Sequence, residues 1–323
     1  MWCALLELAC ALAPGSSIVM GSSLPPAVTG TGSSQSRRAV LAAAAALAAS
    51  SVAPSPILAA PPKTVAVAGA TGQTGRRVLE RLAAQPGLTV IGGVRDVAKA
   101  NQALSSSSTV VRGAMLEKVG AVDASKVDLR VLDVEKNSVA QIAETLKGAE
   151  ALVIATGFVP GNPFKMDAAA HAVDNLGTVA LIDGAKAAGV GKVVLITSIL
   201  TDGPAWGQVN SPGYQVTNAF GHVLEEKLVA EKYLRASGLD WTIVRPGGLK
   251  ADPPQGGLFV SGENTLNSGE ISRDLVADVC VAAISDAQVR APCDMAPRCV
   301  QERRDAGRYY RRGRRATAAQ IIT

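Results

Sequence analysis

The chain has 323 residues, of which 48% are hydrophobic, and a formal net charge of +5, enough for one large α/β domain with additional segments. The charge does not indicate a nucleic-acid-binding core, because eight arginines lie in residues 298–315 and residues 63–297 are mildly acidic. Two histidines and five cysteines without C-x-x-C spacing argue against a metal centre or a dithiol motif, so we predict no metal and no nucleic-acid partner for the core.

Residues 1–62 do not have the pattern of a folded core. They are rich in Ala, Ser, Gly and Pro and contain one acidic residue, Glu7, a composition typical of transit peptides. Arg37 and Arg38 precede a short apolar run, as in a twin-arginine signal. Two interpretations fit: a chloroplast transit peptide, bipartite and directed to the thylakoid, or a bacterial export signal. We therefore predict a disordered targeting segment over 1–62.

The stretch KTVAVAGATGQTG, residues 63–75, is the most informative part of the chain. Its apolar run predicts a buried parallel strand at 64–68, and the glycines that follow predict a tight turn into a helix. In this spacing the first glycine permits the turn, the second lets the backbone approach a pyrophosphate, and the third lets the helix pack on the strand. The helix N-terminus then faces the phosphates. We predict dinucleotide contacts from Gly69, Thr71, Gly72, Gln73, Thr74 and Gly75.

The end of the second predicted strand indicates which dinucleotide is preferred. NAD-specific sites usually have Asp or Glu there, bonded to the ribose hydroxyls, whereas this chain has Gly92, Gly93, Val94 and then Arg95. A guanidinium suits a 2′-phosphate, and Arg76 could assist from just beyond the glycine turn. We therefore predict NADP, as NADPH, in preference to NAD. The alternative is that Arg95 is a solvated loop charge paired with Asp96.

Apolar runs alternate with helical patterns from residue 64 to about 285, which predicts a parallel sheet covered on both faces. The fold class is α/β, a doubly wound parallel sheet of the Rossmann-like NAD(P)-binding type, in a single domain over 63–297. Segment 105–124 is predicted to be a surface insertion, and the Gly- and Pro-rich segment 246–269 to cover the ligand cleft. Strands are predicted at 64–68, 88–93, 127–132, 150–155, 192–197 and 240–244, and helices at 73–85, 96–104, 137–147, 166–188, 218–237 and 272–284.

The carboxyl ends of these strands carry the remaining candidate residues, since ligands of open α/β sheets bind there. Asp133 is placed to meet an adenine amine, and Thr197 and Ser198 present hydroxyls. These residues, and Arg245 after the sixth predicted strand, also have local explanations. Asp133 could cap the next helix, and Arg245 could pair with a nearby acidic residue. The residues predicted to lie near the nicotinamide ribose are Ala155, Thr156 and Gly157.

Three motifs, GATGQTG, VDNLGTVALIDGAKAAGVGKVVLITSIL and NAFGHVLEEKLVAEKYLRASGLDWTIVRPGGL, resemble the atypical, extended-like short-chain dehydrogenase/reductases of the NAD(P)-binding, NmrA-like group. They are most similar to a plastid branch akin to the NADP-binding part of the 62-kDa component of the chloroplast import translocon. Over about 63–285, the resemblance implies a Rossmann-like fold with NADP(H) in the cleft. It also implies a chloroplast location, stromal or thylakoid-associated, with the lumen an alternative from the twin arginines, and peripheral contact with thylakoid or envelope membranes.

The resemblance also implies catalytic positions, which this chain retains only in part. The superfamily has Tyr-x-x-x-Lys on the helix after the fifth strand, where the lysine binds the nicotinamide ribose and the tyrosine transfers a proton. The lysine matches Lys227, but the tyrosine position is Val223, which cannot transfer a proton. Tyr214 lies upstream in a predicted loop and is a weak substitute. Ser198 matches the catalytic serine, so the predicted catalytic residues are Ser198 and Lys227.

Two functions remain open at this stage. The first is an NADP(H)-dependent oxidoreductase acting on an unidentified small or lipophilic acceptor such as a flavin or quinone, which needs no side-chain acid for hydride delivery. The alternative is a non-catalytic NADP(H)-dependent redox sensor or scaffold of a plastid membrane complex. Relatives are expected to continue into another strand after the last helix. Residues 298–323 instead predict an arginine-rich tail, disordered or a gene-model artefact, so the sheet would lose an edge strand.

Overall fold

The alternation of side chains along the first strand explains why the fold has two helical layers. Val65 and Val67 point to one face of strand β1 (Thr64–Ala68) and Ala66 and Ala68 to the other, and all four are buried. A strand buried on both faces must lie inside a sheet that helices cover on both sides. The structure is a computed structural model, and it describes residues 62–105, 108–112, 115–119, 122, 126–252, 258–285 and 317–322.

Six parallel strands form the centre of the main sheet. After β1 they are β2 (Thr89–Val94), β5 (Val127–Val131), β6 (Ala151–Ile154), β7 (Lys192–Ile196) and β8 (Asp240–Pro246). Their order in the sheet is β5-β2-β1-β6-β7-β8. The chain leaves β1 toward β2 and β6 toward β7, on opposite sides, so the strand order reverses between β1 and β6. This confirms the predicted doubly wound, Rossmann-like sheet.

Helices cover both faces of this sheet. The helices are α1 (Gln73–Ala83), α2 (Val97–Ser105), α3 (Val139–Thr145), α4 (Met166–Ala170), α5 (Thr178–Ala187), α6 (Pro212–Asn218), α7 (Val223–Ala236) and α8 (Arg273–Ser285). One apolar core joins one face of the sheet to α1, α2 and α8, and a second core joins the other face to α3, α5 and α7.

The predicted helix over 166–188 is interrupted by a wider turn. Between α4 and α5 the backbone is π-helical over His171–Gly177. Such an insertion shifts the side chains that follow it around the helix axis, and it frequently occurs at functional sites. Here it contains two buried polar residues, Asp174 and Asn175, which face the start of α7.

Further strands lie outside the six-stranded centre. The predicted insertion over 105–124 contains an antiparallel hairpin of β3 (Ser108–Arg112) and β4 (Met115–Val119). The segment predicted to cover the cleft contributes β9 (Gly248–Lys250) and β10 (Leu258–Ser261), and β11 (Glu270–Ser272) follows it. Residues 253–257 lie outside the described residues, so the cleft-covering role stays a prediction.

A strand in the C-terminal segment was missed by the sequence analysis. Residues Thr317–Ile322 form β12, which pairs antiparallel with β8 and parallel with β10 and β11. The arginines at 298–315 dominate the composition of this segment and conceal the short apolar run that follows them. The sheet therefore does not end at β8. Residues 1–61 of the predicted targeting segment 1–62, and residues 286–316, lie outside the described residues.

No helix in the described part of the chain is long and apolar enough to cross a membrane.

Cys280 provides a chemical test of how α8 packs. Its side chain is buried against the core, and burial raises the pKa of Cys280 to about 12. Since the thiolate is the reactive form, we expect Cys280 to resist iodoacetamide in the native protein at about pH 8. Peptide mapping by mass spectrometry should find Cys280 alkylated only after denaturation. Alkylation at equal rates in both states would contradict the packing of α8.

Candidate dinucleotide-binding site

The reversal of strand order between β1 and β6 opens a crevice at the carboxyl edge of the sheet. Ligands of doubly wound folds bind at such a point, because the connections leave the two strands in opposite directions and do not cover it. The turn after β1 and the segment after β6 form its two sides. These two segments approach each other closely, since the Ala155 N–H donates to the Ala68 carbonyl at 3.1 Å.

The glycine turn is so tight that a side chain does not fit at two of its three glycines. Gly69 has φ +78°, and a Cβ there would lie 2.9 Å from the Ala155 carbonyl oxygen. Gly72 donates its N–H to the Gly69 carbonyl at 2.9 Å, and a Cβ on Gly75 would overlap that same oxygen. Gly69 and Gly75 are therefore required by the backbone, whereas a Cβ on Gly72 would make a tight contact, 3.1 Å from the Gly69 carbonyl oxygen.

The start of α1 offers backbone donors to this opening. Gly72 is the N-cap, no side chain caps the helix, and its first turn has no acidic residue. A helix N-terminus without an internal cap has N–H groups and a positive dipole end available for an anion. Thr71, Gln73 and Thr74 are half-buried in the turn and first helical turn. The arrangement fits the pyrophosphate of a dinucleotide.

The other side of the crevice contains a buried hydroxyl with no hydrogen-bond partner among the described residues. This atom is Oγ1 of Thr156, directly after Ala155, and Gly157 beside it is exposed. Buried polar groups are rarely left unpaired in native proteins, so this hydroxyl indicates a missing partner. Together with the glycine turn, it supports the fit of a dinucleotide to this crevice.

The two arginines considered for the 2′-phosphate have different surroundings. Arg95 follows β2, is exposed, and makes no side-chain hydrogen bond or ion pair within the described residues, Asp96 included. Arg76 is buried, and it binds Glu80 at 3.0 Å and the Ala103 carbonyl at 2.6 Å. The expectation that Arg76 assists is therefore not supported, because its guanidinium links α1 to α2.

Asp133 lies at the end of the strand beyond β2 and closes the local turn. One carboxylate oxygen accepts the Glu135 N–H at 3.1 Å, and the other lies 3.3 Å from the ammonium of Lys136. The Asp133 N–H donates to the Asn137 side chain at 2.7 Å. The suggested helix cap was wrong, because Ser138 caps α3 and Asp133 instead stabilises the turn before it. The contact of Asp133 with adenine stays a prediction.

Lys227 is held by an acid that the sequence analysis missed. Its ammonium lies 2.7 Å from Oδ1 of Asp174, whose side chain is 1% exposed. The other oxygen, Oδ2, accepts the Phe158 N–H at 3.1 Å. Asp174 therefore connects Lys227 to the segment after β6. Its position within the π-helical turn, 53 residues from Lys227, gives no local pattern by which it could have been found.

The other two catalytic candidates are Ser198 and Tyr214. The Ser198 hydroxyl is half-buried without a hydrogen-bond partner in the part of the chain that the structure describes. Tyr214 is in α6, and the prediction of a loop there was wrong because Ser211 caps a short helix beginning at Pro212. The Tyr214 hydroxyl lies 3.4 Å from Glu225, and burial and that carboxylate raise the pKa of Tyr214. Its hydroxyl is thus directed to Glu225.

A buried ion pair fixes the ends of β7 and β8. Arg245 and Glu231 are each 1% exposed at the side chain and are joined at 3.0 Å (Nε to Oε1). The Thr197 hydroxyl donates to the same oxygen of Glu231 at 2.6 Å. The expectation of an acidic partner for Arg245 is confirmed, and the pair fixes the residue preceding Ser198. Such a pair is costly to break, because one charge would remain buried alone.

The fold and the glycine turn define a dinucleotide-binding protein of the Rossmann-like class, and comparisons with known proteins agree. A family model described as NAD(P)H-binding matches residues 116–287. The uncharacterized chloroplastic protein At2g34460 of Arabidopsis thaliana is 43% identical over 229 residues, 69% of this chain and 72% of that protein. Chloroplastic protein TIC 62 of Pisum sativum is 31% identical over 219 residues, 67% of this chain but only 39% of that protein.

A solved structure shows the same fold. The oxidoreductase YlbE of Lactococcus lactis superposes with a TM-score of 0.54 at 18% identity, over 80% of this chain and 90% of that one. The chain belongs to the NAD(P)H-binding family. The resemblance to the plastid branch of atypical short-chain dehydrogenase/reductases is confirmed. The family match begins after the glycine turn, so it is the geometry of residues 69–75 that extends the site to β1.

Replacing the third glycine tests the site. In Gly75→Ala, the new methyl group would collide with the Gly69 carbonyl oxygen, so we expect NADPH affinity to fall by about 100-fold, or ~2.7 kcal/mol. Gly191→Ala is the matched control, since its Cβ would lie 3.5 Å from the nearest atom, the Glu150 carbonyl oxygen. Fluorescence titration with NADPH measures both, and equal affinities for the two variants would contradict this location of the site.

Proposed function

We propose that the protein is an NADP(H)-dependent oxidoreductase of the chloroplast that acts on a small or lipophilic acceptor of the flavin or quinone type. The observation that carries the proposal is the convergence of the glycine turn, the Lys227–Asp174 pair and the half-buried Ser198 at the carboxyl edge of one sheet. Membership of the NAD(P)H-binding family supports the cofactor class. The chloroplastic names of both relatives support the location.

The residues of the crevice divide into three groups by the part of the dinucleotide that they would hold. The glycine turn and the start of α1 would bind the pyrophosphate, and Asp133 would lie beside the adenine. Lys227 and the Thr156 hydroxyl would bind on the nicotinamide-ribose side, where Ser198 would orient the acceptor. When bound, a reduced nicotinamide supplies a hydride to an electron-poor acceptor. The full set is Gly69, Thr71, Gly72, Gln73, Thr74, Gly75, Arg95, Asp133, Ala155, Thr156, Gly157, Ser198 and Lys227.

The choice of an acceptor that needs no side-chain acid follows from the surroundings of Lys227. The helical position four residues before Lys227 is Val223, whose side chain has no ionisable proton. Tyr214 is paired with Glu225, so it does not replace the missing tyrosine without leaving that partner. Oxidised flavins and quinones accept a hydride and take the balancing proton from water, and they therefore match this site better than ordinary ketones do.

The second candidate function is a non-catalytic NADP(H)-dependent redox sensor or scaffold on a plastid membrane complex. The observation in its favour is Val223, because loss of the proton donor is what a binding-only descendant of an enzyme would show. The similarity to TIC 62 covers only part of that longer protein, so its assembly role does not transfer directly. Peripheral association with thylakoid or envelope membranes belongs to this second proposal.

The proposed preference for NADPH rests on the exposed guanidinium of Arg95 after β2. Because Arg95 would bind the 2′-phosphate by charge-assisted bonds, Arg95→Gln should weaken NADPH binding by about 10- to 100-fold and leave NADH binding nearly unchanged. Lys99→Gln is the control, since Lys99 is an exposed cation on the next helix that pairs with Asp96 at 3.6 Å. Isothermal titration with both nucleotides measures the ratio. An unchanged ratio in Arg95→Gln would contradict the assignment.

Turnover separates the two functions. The full chain should oxidise NADPH when FMN or menadione is present, and Lys227→Ala should lower that rate by about tenfold or more, because the ribose would be less well positioned. Spectrophotometry at the nicotinamide absorption band follows the reaction, with Lys186→Ala as a surface-lysine control. Tight NADPH binding without turnover on any acceptor would favour the sensor or scaffold, and no binding of either nucleotide would contradict both.

A further inference from the structure

The connection from β6 to α4 presents apolar side chains to water in a fixed arrangement. Phe164 is 97% exposed and Val159 is 76% exposed. Phe164 does not lie in an irregular loop: it is in a helical turn over Pro163–Lys165, where its N–H donates to the Asn162 side chain at 3.0 Å. Exposed apolar side chains that are grouped on an ordered segment, rather than scattered singly, indicate a contact surface.

The base of this connection is attached beside the proposed nicotinamide-ribose lysine. The Phe158 N–H donates to Asp174 at 3.1 Å, and Asp174 binds the ammonium of Lys227 at 2.7 Å. The Phe158 ring packs against an apolar cluster that includes Leu200 and Val223. The exposed side chains therefore begin where the acceptor must approach the cofactor.

A second exposed aromatic residue, Phe220, lies on a turn that packs next to the segment that carries Phe164. Phe220 is 45% exposed, and it precedes Gly221, whose φ is +78° and whose Cβ would lie 2.5 Å from the Met166 carbonyl oxygen. His222 reaches Asp167 at 3.1 Å. The turn that carries Phe220 is thus packed on the start of α4, directly after the turn that carries Phe164.

The charges of this surface distinguish between acceptor classes. No charged residue occurs from Ala155 to Phe164, and the ammonium of Lys227 is neutralised by Asp174. Lys165 is the single cation of the connection, and the exposed Asp167 follows two residues later. A flavin nucleotide carries a phosphate that needs cationic or amide partners, whereas an uncharged planar ring needs apolar area and aromatic faces.

We propose that residues 157–165, with Phe220, form the acceptor subsite, and that it takes an uncharged, planar, lipophilic quinone between Phe164 and Phe220. This inference rests on the proposed oxidoreductase function and narrows its acceptor class. In the net reaction, NADPH, the quinone and one proton from water give NADP⁺ and the hydroquinone. The side chain of Val223 has no ionisable proton to donate, which is consistent with water as the proton source.

Equilibrium binding tests the subsite without requiring turnover. Menadione is titrated into the full chain saturated with NADP⁺, and isothermal calorimetry gives its affinity. Phe164→Ala and Phe220→Ala should each weaken menadione binding by about tenfold, the loss expected for an aromatic contact, with NADPH affinity unchanged. Val131→Ala is the control, since Val131 is also exposed, at 53%, but lies on edge strand β5. FMN should bind more weakly than menadione in the wild type.

Three results would overturn the proposal. The first is that the wild type binds NADPH but not menadione. The second is that Phe164→Ala and the wild type bind menadione with equal affinity. The third is that the wild type binds FMN more tightly than menadione. Co-sedimentation with anionic lipid vesicles is run on the same variants. Loss of vesicle binding in Phe164→Ala with unchanged menadione affinity would assign the surface to a membrane instead. Failure of wild type to bind NADPH would be a separate failure, that of the proposed function itself.

Discussion

The close approach of two backbone segments at the centre of the sheet is the constraint on which the rest of the site depends. The turn after β1 passes so near the Ala155 carbonyl that residue 69 must be glycine, and α1 begins so near the same turn that residue 75 must be glycine as well. At this turn, no side chain among the described residues caps the N-terminus of α1. The proposed phosphate end of the site is thus made almost wholly of backbone, which explains why glycines mark it.

The opposite end of the crevice is made of side chains that hold one another. Asp174 fixes both Lys227 and the segment after β6, and the Glu231–Arg245 pair fixes Thr197 beside Ser198. Lys227 is thereby held in place but paired with a carboxylate, and the neighbouring position that would supply a proton is Val223. For the oxidoreductase that we propose, these surroundings favour an acceptor that is protonated by water, and the apolar residues beside Lys227 favour an uncharged acceptor.

The sequence was sufficient for the features that local patterns encode and insufficient for those that depend on distant partners. Apolar runs and glycine spacing predicted all six central strands and the turn at Gly69, because a buried parallel strand and a tight turn restrict residues near one another. Asp174 was missed because its partner Lys227 is 53 residues away in the chain. Glu231 was not identified as the partner of Arg245 because their pairing depends on how α7 packs on β8. Strand β12 was missed because its pairing with β8 depends on tertiary structure, and its neighbours are mostly arginine.

A crystal structure of the full chain with NADP⁺ would locate the dinucleotide directly. We expect it to lie across the carboxyl ends of β1 and β6, with its pyrophosphate against the backbone N–H groups at the start of α1. Its nicotinamide ribose would then lie within hydrogen-bonding distance of Lys227. A dinucleotide bound elsewhere on the sheet, or oriented with its adenine beside Lys227, would contradict the proposed site.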